Sequence, residues 1–357
     1  MKKTIVLIFF FIIFRSFISP ENENFKFVKI IEDQSGHIFS GISDATLTSC
    51  KDIIILDGLG NTISKYDWNG NFINRIGQKG QGPGDFYWPT SVNIFNEKIF
   101  ILDRLNNRFV EADMELKNLK YFRLHKNNFS KSFDVINGNK FIIDHISLNK
   151  PDDNKIRIID KNGNLIRTFF NHTPIDIDSI RKDEKTLSRL AFISKITYAL
   201  NDKLDKLLIT FNTSDNPIVF YLYSLNGELI KKFSYQTDKK YRFVHELYTA
   251  PKVSLSVFKG RHFIDVESVF YYNNHWYIFV SENHYKDGNF ELNIRNHLEY
   301  FENKSFYLKF DENCKLIGRF DINPYFKCFY ISKDGYALGK HPHSESEELV
   351  IYKITDE

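Results

Sequence analysis

Residues 53–108 read Ile53-Ile-Ile-Leu-Asp57, then Tyr66-Asp-Trp-Asn-Gly70, then Phe72-Ile-Asn-Arg-Ile76, and they hold two consecutive copies of one unit. A glycine-rich connection follows as Gly77-x-x-Gly80-x-Gly82-Pro-Gly84-x-Phe86-x-x-Pro89. The second copy then opens with Ile99-Phe-Ile-Leu-Asp103-Arg-Leu-Asn-Asn-Arg108. Each unit is an apolar strand ending on a polar residue, a short turn, a second strand ending in an Asp-x-x-Gly type turn, and a third short strand. Glycine supplies the positive φ of such a bend, and the Asp or Asn before it caps the turn.

The same order recurs four more times. A third copy runs through Phe141–Asp144, Ile156–Gly163 and Leu165–Phe169, and a fourth through Leu207–Phe211, Val219–Gly227 and Leu229–Phe233. A fifth comprises Trp276–Ser281, Phe306–Cys314 and Leu316–Phe320. The sixth, Tyr336–Lys340 with Leu349–Ile354, lacks its third strand. One further apolar stretch precedes each unit, such as Thr90–Phe95, Phe192–Tyr198, Val266–Tyr271 and Phe326–Ile331, which makes four strands per unit. Phe25–Ile31 is left over at the N-terminal side.

Six four-stranded units predict an all-β chain: a six-bladed β-propeller of antiparallel blades, closed by the N-terminal strand completing the last blade. Closure satisfies the energetics, because an isolated antiparallel sheet leaves edges open and cannot bury both faces. The 35 Phe and 19 Tyr residues then serve as packing between blades.

The chain divides into residues 1–24 and a single domain over 25–357. Lys2 and Lys3 precede an apolar run from Ile5 to Phe14, followed by polar Glu21–Asn24, which reads as a signal peptide or an N-terminal anchor. The run is short for a membrane span, Arg15 breaks it, and no small-x-small cleavage site precedes Pro20. No cysteine follows closely enough for a lipoprotein-type anchor. An exported protein is expected: periplasmic, in the cell envelope or secreted, with any membrane contact made through this segment. The segment holds Lys2, Lys3, Arg15, Glu21 and Glu23 and so carries +1 of the formal charge of +3, leaving +2 on residues 25–357, a body close to neutral, which argues against nucleic acid as a partner. Cys50, Cys314 and Cys328 allow at most one disulfide within the chain, between Cys314 and Cys328, or are free thiols.

The spacing of the units points to insertions near residues 171–190, 236–262 and 284–304, with a short helix over 180–190. Long insertions in a compact fold commonly carry function.

Gly84-Asp-Phe86-Tyr-Trp-Pro89 followed by Asp103-Arg-Leu-Asn-Asn-Arg108 resembles the NHL repeat, and the chain is similar to exported six-bladed propeller proteins of bacteria that carry the Ile76–Phe86 connection. The match is specific over residues 53–123 and architectural beyond 170, where the Asp-x-x-Asn-x-Arg signature is missing. What the resemblance implies is a propeller used for scaffolding, for ligand binding or for lyase and lactonase chemistry. Related sugar lactonases hold calcium with Glu, Asn and Asp along the channel, and no matching set is readable in this sequence.

Aligning the repeated strand puts Asp57, Asp103 and Asp144 at equivalent positions, with Phe211, Ser281 and Lys340 in the other blades. On inner strands these would ring the channel at one height and bind a polar ligand or a cation. The competing reading is that each Asp caps its own bend. No cofactor is predicted; calcium is the ion such carboxylates would suit. His341 and His343, with Glu345 and Glu347, have a spacing compatible with zinc on an extended segment, against a solvated loop short of ligands. The glycines of 77–84 are no phosphate loop, since no Gly-Lys-Ser/Thr and no helix pattern follow, and no G-x-S-x-G elbow occurs. The expectation is a binding module for a protein, peptide or glycan. A metal-dependent hydrolase, lactonase or lyase with its site in the channel is the alternative, and a structural part of a cell-envelope assembly comes third.

Overall fold

A computed structural model of the protein describes residues 24–32, 38–124, 130–145, 155–169, 196–211, 217–237, 244–250, 253–259, 262–285, 301–322, 326–341 and 347–355. Every regular element among them is a strand. β1 (Phe25–Ile31) comes first, and blade 1 follows as β2 (Ile42–Leu47), β3 (Ile53–Asp57), β4 (Thr62–Tyr66) and β5 (Phe72–Ile76). Blade 2 is β6 (Pro89–Phe95), β7 (Lys98–Asp103), β8 (Arg108–Asp113) and β9 (Lys120–Arg123). Blade 3 is β10 (Phe133–Asn137), β11 (Lys140–His145), β12 (Lys155–Asp160) and β13 (Leu165–Phe169). Blade 4 is β14 (Ile196–Leu200), β15 (Lys206–Phe211), β16 (Ile218–Ser224) and β17 (Leu229–Tyr235). A separate hairpin of β18 (Val244–Ala250) and β19 (Val253–Lys259) leads to blade 5, made of β20 (His262–Tyr272), β21 (His275–Tyr285), β22 (Phe301–Asp311) and β23 (Leu316–Ile322). Blade 6 has β24 (Lys327–Ile331), β25 (Tyr336–Lys340) and β26 (Leu349–Ile354) of its own, and β1 is its fourth strand.

Each of the six sheets is antiparallel and ordered as the chain runs, except that β1 pairs β26 from Phe25↔Ile354 to Ile31↔Leu349. The first strands of the blades form the inner ring. β2 packs on β6, β6 on β10, β14 on β20, β20 on β24, and β24 on β2; Tyr198 of β14 donates to the carbonyl of Ile142, 3.3 Å away, and so joins blade 4 to blade 3. The expected six-bladed ring and its closure by Phe25–Ile31 are therefore present.

A blade's second strand is covered on both faces by its neighbours, so its sequence is a continuous apolar run rather than an alternating one. Ile53–Leu56, Ile99–Leu102, Phe141–Ile143, Leu207–Ile209 and Trp276–Val280 are all buried. Blades 1 and 2 meet through Ile54, Leu56 and Ile63 against Ile99, Ile101 and Val110, with Phe86 of the glycine-rich connection filling the same layer. Blades 5 and 6 meet through rings: Tyr277, Phe279 and Tyr307 face Phe326, Tyr352 and the closing strand's Phe25. At the turn after β4, Gly70 donates to the carbonyl of Asp67 at φ +92°, while the side chain of Asp67 accepts from the amide of Asn71. Cys314 and Leu116 take the corresponding left-handed position in blades 5 and 2.

Much of the insertion read at 236–262 is strand, since β18 and β19 form a hairpin there; of the one read at 284–304 only 284–285 and 301–304 are described, as the ends of β21 and β22, which with β20 are eleven residues each where other blade strands have four to seven. The thiols of Cys50, Cys314 and Cys328 are free, because Cys314 sits on an outer turn of blade 5 and Cys328 on the inner strand of blade 6. The helix read over 180–190 and the targeting segment over 1–23 lie outside the described residues. No described helix is long and apolar enough to cross a membrane.

Candidate functional site

The aligned polar residues do not lie on the innermost strands. They lie on the second strands, with Asp57, Asp103 and Lys340 at the last residue, Asp144 one residue before the end and Ser281 four before it, and the three carboxylates tie their strand to the chain leading into the first strand. Asp57 accepts from the amides of Ser40 (2.7 Å), Gly41 (3.0 Å) and Gly60 (2.8 Å). Asp103 accepts from the Tyr87 amide (2.8 Å), from Asn106 Nδ2 (2.7 Å) and from Arg108 Nε (2.8 Å). Asp144 takes the amides of Lys131 (2.8 Å) and Ser132 (2.9 Å). Burial pushes its carboxyl up to about 6, against those two amides and the charge of Arg104. Ser281 donates to Glu267 Oε1 (3.0 Å) on β20. Lys340 inverts the charge, pairing with Glu347 (2.8 Å), whose Oε2 accepts the amide of Ile42 and so fastens blade 6 to blade 1. The inner-ring position expected for Asp57, Asp103, Asp144, Ser281 and Lys340 is thus corrected: all five lie one strand further out, where the three Asp accept backbone amides, Ser281 bonds to Glu267 and Lys340 pairs with Glu347. The side chain of Phe211 lies outside the described residues.

The NHL-like signature has a local meaning here. Arg108 stacks over Tyr121 (4.4 Å) and donates to the carbonyl of Asp85 (2.8 Å), while Asn106 Nδ2 also reaches the carbonyl of Gly80 (2.9 Å). Asp103, Asn106 and Arg108 therefore clamp the connection of residues 77–86. Gly77 must be glycine, since its φ is +103° and a Cβ would stand 2.6 Å from the carbonyl of Asn61.

The channel ring proper carries a different pair of carboxylates. Asp44 on β2 accepts the amide of Ala45 (2.9 Å) and, across the blade boundary, that of Val92 (2.8 Å). Asp134 on β10 accepts from Asn93 Nδ2 (2.8 Å) of β6. Both keep part of their surface open. Desolvation pushes each carboxyl up to about 7, with the charge of Asp134 adding to the rise at Asp44 and the Asn93 bond opposing it at Asp134. Tyr198 stands in the field of Asp134 and Asp144 with its phenol raised by burial. Tyr330 of β24 bonds to Thr46, and Thr197 donates to the carbonyl of Val266 (3.3 Å), so polar contacts run from blade to blade around the ring.

The connections into first strands and the turns between second and third strands emerge on one face. There the chain exposes Ile38, Leu59, Trp88 and Leu105, at 85%, 61%, 44% and 39%. Trp88 has φ +54°, a conformation that costs a bulky residue of order 1 kcal/mol or more. It persists because its surroundings over-determine it: its amide donates to Asn61 Oδ1 (2.8 Å), and Tyr87 beside it bonds to Asp103 (2.8 Å) and to the amide of Leu105 (3.0 Å). Arg104 lies over the Trp88 ring at 5.8 Å. Leu59 packs onto Gly41, Gly58 lies against the carbonyl of Pro89, and Leu105 bonds to Tyr87, so Leu59, Trp88 and Leu105 gather at the boundary of blades 1 and 2. Blade 5, which stands across the ring from blade 2, extends β21 four residues past Ser281 on this face, about 13 Å of strand.

Among the described residues no three His, Cys, Asp or Glu side chains gather as a metal would require. His341 Nε2 shares a hydrogen bond with the Tyr352 hydroxyl (3.2 Å), Glu347 is paired with Lys340, and His343 and Glu345 lie outside the described residues. Sequence reading missed Asp44, Asn93 and Asp134. They sit in the least repetitive strand of the unit; the available signal was a lone acid within Ile42–Leu47 and within Phe133–Asn137.

Residues 25–191 match the sequence profile of a family described as 6-bladed beta-propeller. No curated protein matches the chain significantly. Among solved structures, the chain is similar to a member of the DUF4221 family from Bacteroides vulgatus, with TM-score 0.55 and 12% identity over 94% of this chain and 100% of that one. It is also similar to a protein from Bacteroides fragilis described as exported, with TM-score 0.53 and 10% identity over 95% of this chain and 98% of that one. At such identities the likeness concerns fold alone. Six blades closed by β1, the profile match and these fold relatives together make the chain a six-bladed β-propeller.

Proposed function

We propose that the protein is an exported binding module whose partner seats on the face carrying Trp88. The observation behind this reading is that Trp88 is held exposed in a left-handed conformation by hydrogen bonds from two blades. A protein that only needed to fill space there would have placed a glycine or asparagine in that conformation. Exposed Trp and Leu beside Arg are the composition of interface anchors, and a mouth lined by loops on a rigid ring is where such anchors are usually found. Similarity in fold to a Bacteroides protein described as exported agrees with the targeting segment read at residues 1–24.

The test uses chemical cross-linking in cell-envelope extracts, comparing the wild type with Trp88→Ala and Leu59→Ser. A specific cross-linked partner lost in both variants, at unchanged Tm, is the expected result. Identical cross-linking patterns in all three proteins would refute it. A second reading has its own observation: Asp44 and Asp134, raised to about 7 and partly open, suit general acid and base roles. That hydrolase, lactonase or lyase reading predicts turnover in an ester and lactone screen that Asp134→Asn abolishes.

A further inference from the structure

The patch around Trp88 contains one group that the fold does not use. Arg104 opens the turn between β7 and β8, and its Nε is buried with no hydrogen-bond partner. No described hydrogen bond to any other nitrogen of its guanidinium accompanies it. Burial lowers its pKa and the charge of Asp144 opposes that lowering, but no described ion pair joins the two: Asp144 accepts the amides of Lys131 and Ser132 on Oδ1. By contrast Arg108, four residues on, is fully engaged by Asp103, the carbonyl of Asp85 and the ring of Tyr121. An arginine with idle donors over an exposed tryptophan is a ready site for a planar anion, since a guanidinium matches a carboxylate through two parallel bonds.

What surrounds it selects among carboxylate bearers. A sugar acid would be served by the tryptophan face alone. Here Leu59 and Leu105 extend the apolar surface beside the ring, and Lys79 over the ring of Tyr87 (5.1 Å) adds a second positive charge at the edge. Building on the binding-module reading, we propose that this corner takes an acidic and apolar peptide segment of a partner protein. Its carboxylate bonds to Arg104, and its apolar side chain lies between Trp88, Leu59 and Leu105.

The test titrates the full chain with fluorescein-labelled synthetic decapeptide pools and reads anisotropy. One pool combines Asp and Glu with Leu and Phe, the second replaces the acids by Asn and Gln, and unlabelled polygalacturonate competes as the glycan probe. The acidic pool should bind, with Kd rising about tenfold or more in Arg104→Gln and in the amide pool, as expected for loss of a charge-assisted bond. Arg104→Lys should recover part of the loss, and Trp88→Ala should remove binding, all at unchanged Tm. Equal binding of both pools and indifference to Arg104→Gln would overturn the acidic assignment while leaving a Trp88-dependent module intact. Competition by polygalacturonate in place of peptide binding would make the ligand a glycan and overturn the peptide. Failure of every probe to bind would overturn this inference, and the separate cross-linking result would then decide whether the module reading falls with it.

Discussion

At the scale of single residues, the clearest contrast is between two kinds of carboxylate. Asp103 is wholly buried and spends its oxygens on Tyr87, Asn106 and Arg108. Asp103→Ala would leave a nearly buried guanidinium and a backbone amide without their acceptor, which costs about 3 kcal/mol by the general behaviour of broken buried pairs. Urea unfolding should show the midpoint falling with the slope unchanged. Lys98→Ala should cost under about 1 kcal/mol in the same assay, because its partner Glu111 meets a half-exposed ammonium. Asp44 and Asp134 are the other kind. Each is raised from 3.8 to about 7 in the folded protein, so between those values the folded state holds protons that the unfolded chain has released. Stability from this source is present at low pH and is lost as pH rises from about 4 to 7. Burial of Asp144, raised to about 6, acts in the same direction. Tm measured at pH 5 and pH 8 should therefore fall with pH by a few degrees for the wild type, and Asp134→Asn should flatten that slope. A slope identical in wild type and variant would show that this carboxyl does not titrate in the window.

Among elements, the second strands were legible in every blade, whereas of the first strands β6, β14, β20 and β24 were read and β2 and β10 were not. Ile53–Leu56 and Ile99–Leu102 announce themselves because a strand buried on both faces needs an unbroken apolar run. Inner strands carry mixed sequences such as Ile42-Ser-Asp-Ala-Thr-Leu47, and a bulge at Ser43 in one blade and at Thr90 in the next breaks the alternation that would have marked which side chains face the channel. That is why Asp57 and Asp103 were expected on the ring while Asp44 went unnoticed. The hairpin β18–β19 was legible in principle, since Val253-Ser-Leu-Ser-Val257 alternates with period two, but no copy elsewhere in the chain drew attention to it. The thiols follow the element they occupy. Cys314 lies buried against the blade 4–5 core with its thiol pushed up to about 11, and Cys328 is buried in blade 6 with its thiol raised further, while Cys50 is exposed on a turn. The thiolate is the reactive form, so a disulfide-exchange reagent should titrate one of the three cysteines in the native protein and all three in urea. Rapid native labelling of two or more would contradict the burial of these strands.

For the whole molecule, the decisive feature is that the last blade matches the other five only if a strand from the far end of the chain completes it. β26 would otherwise present a full row of unpaired amides and carbonyls, and the apolar face of blade 6 would lose part of its cover. β1 supplies both remedies. It pairs with β26 along Leu349–Ile354, and Phe25 inserts between blades, with ring centroids 5.4 Å from Tyr307 of blade 5 and 5.5 Å from Phe326 of blade 6. Because Phe25 touches two blades at once, the strand acts on closure of the ring as well as on one sheet edge. Removing a fully packed aromatic costs roughly 3–5 kcal/mol, so Phe25→Ala should lower the urea midpoint accordingly. Deleting residues 1–31 should go further and yield protein that associates through the open edge of β26, seen as early elution in size-exclusion chromatography. If closure is the cause, a synthetic peptide of residues 24–32 added during refolding should restore a monodisperse peak and a single cooperative thermal transition. A scrambled peptide of the same composition should not, since register along Phe25↔Ile354 to Ile31↔Leu349 decides whether Phe25 reaches its slot. Deletion without association, or rescue by the scrambled peptide, would mean that blade packing alone holds the ring and that β1 merely covers it.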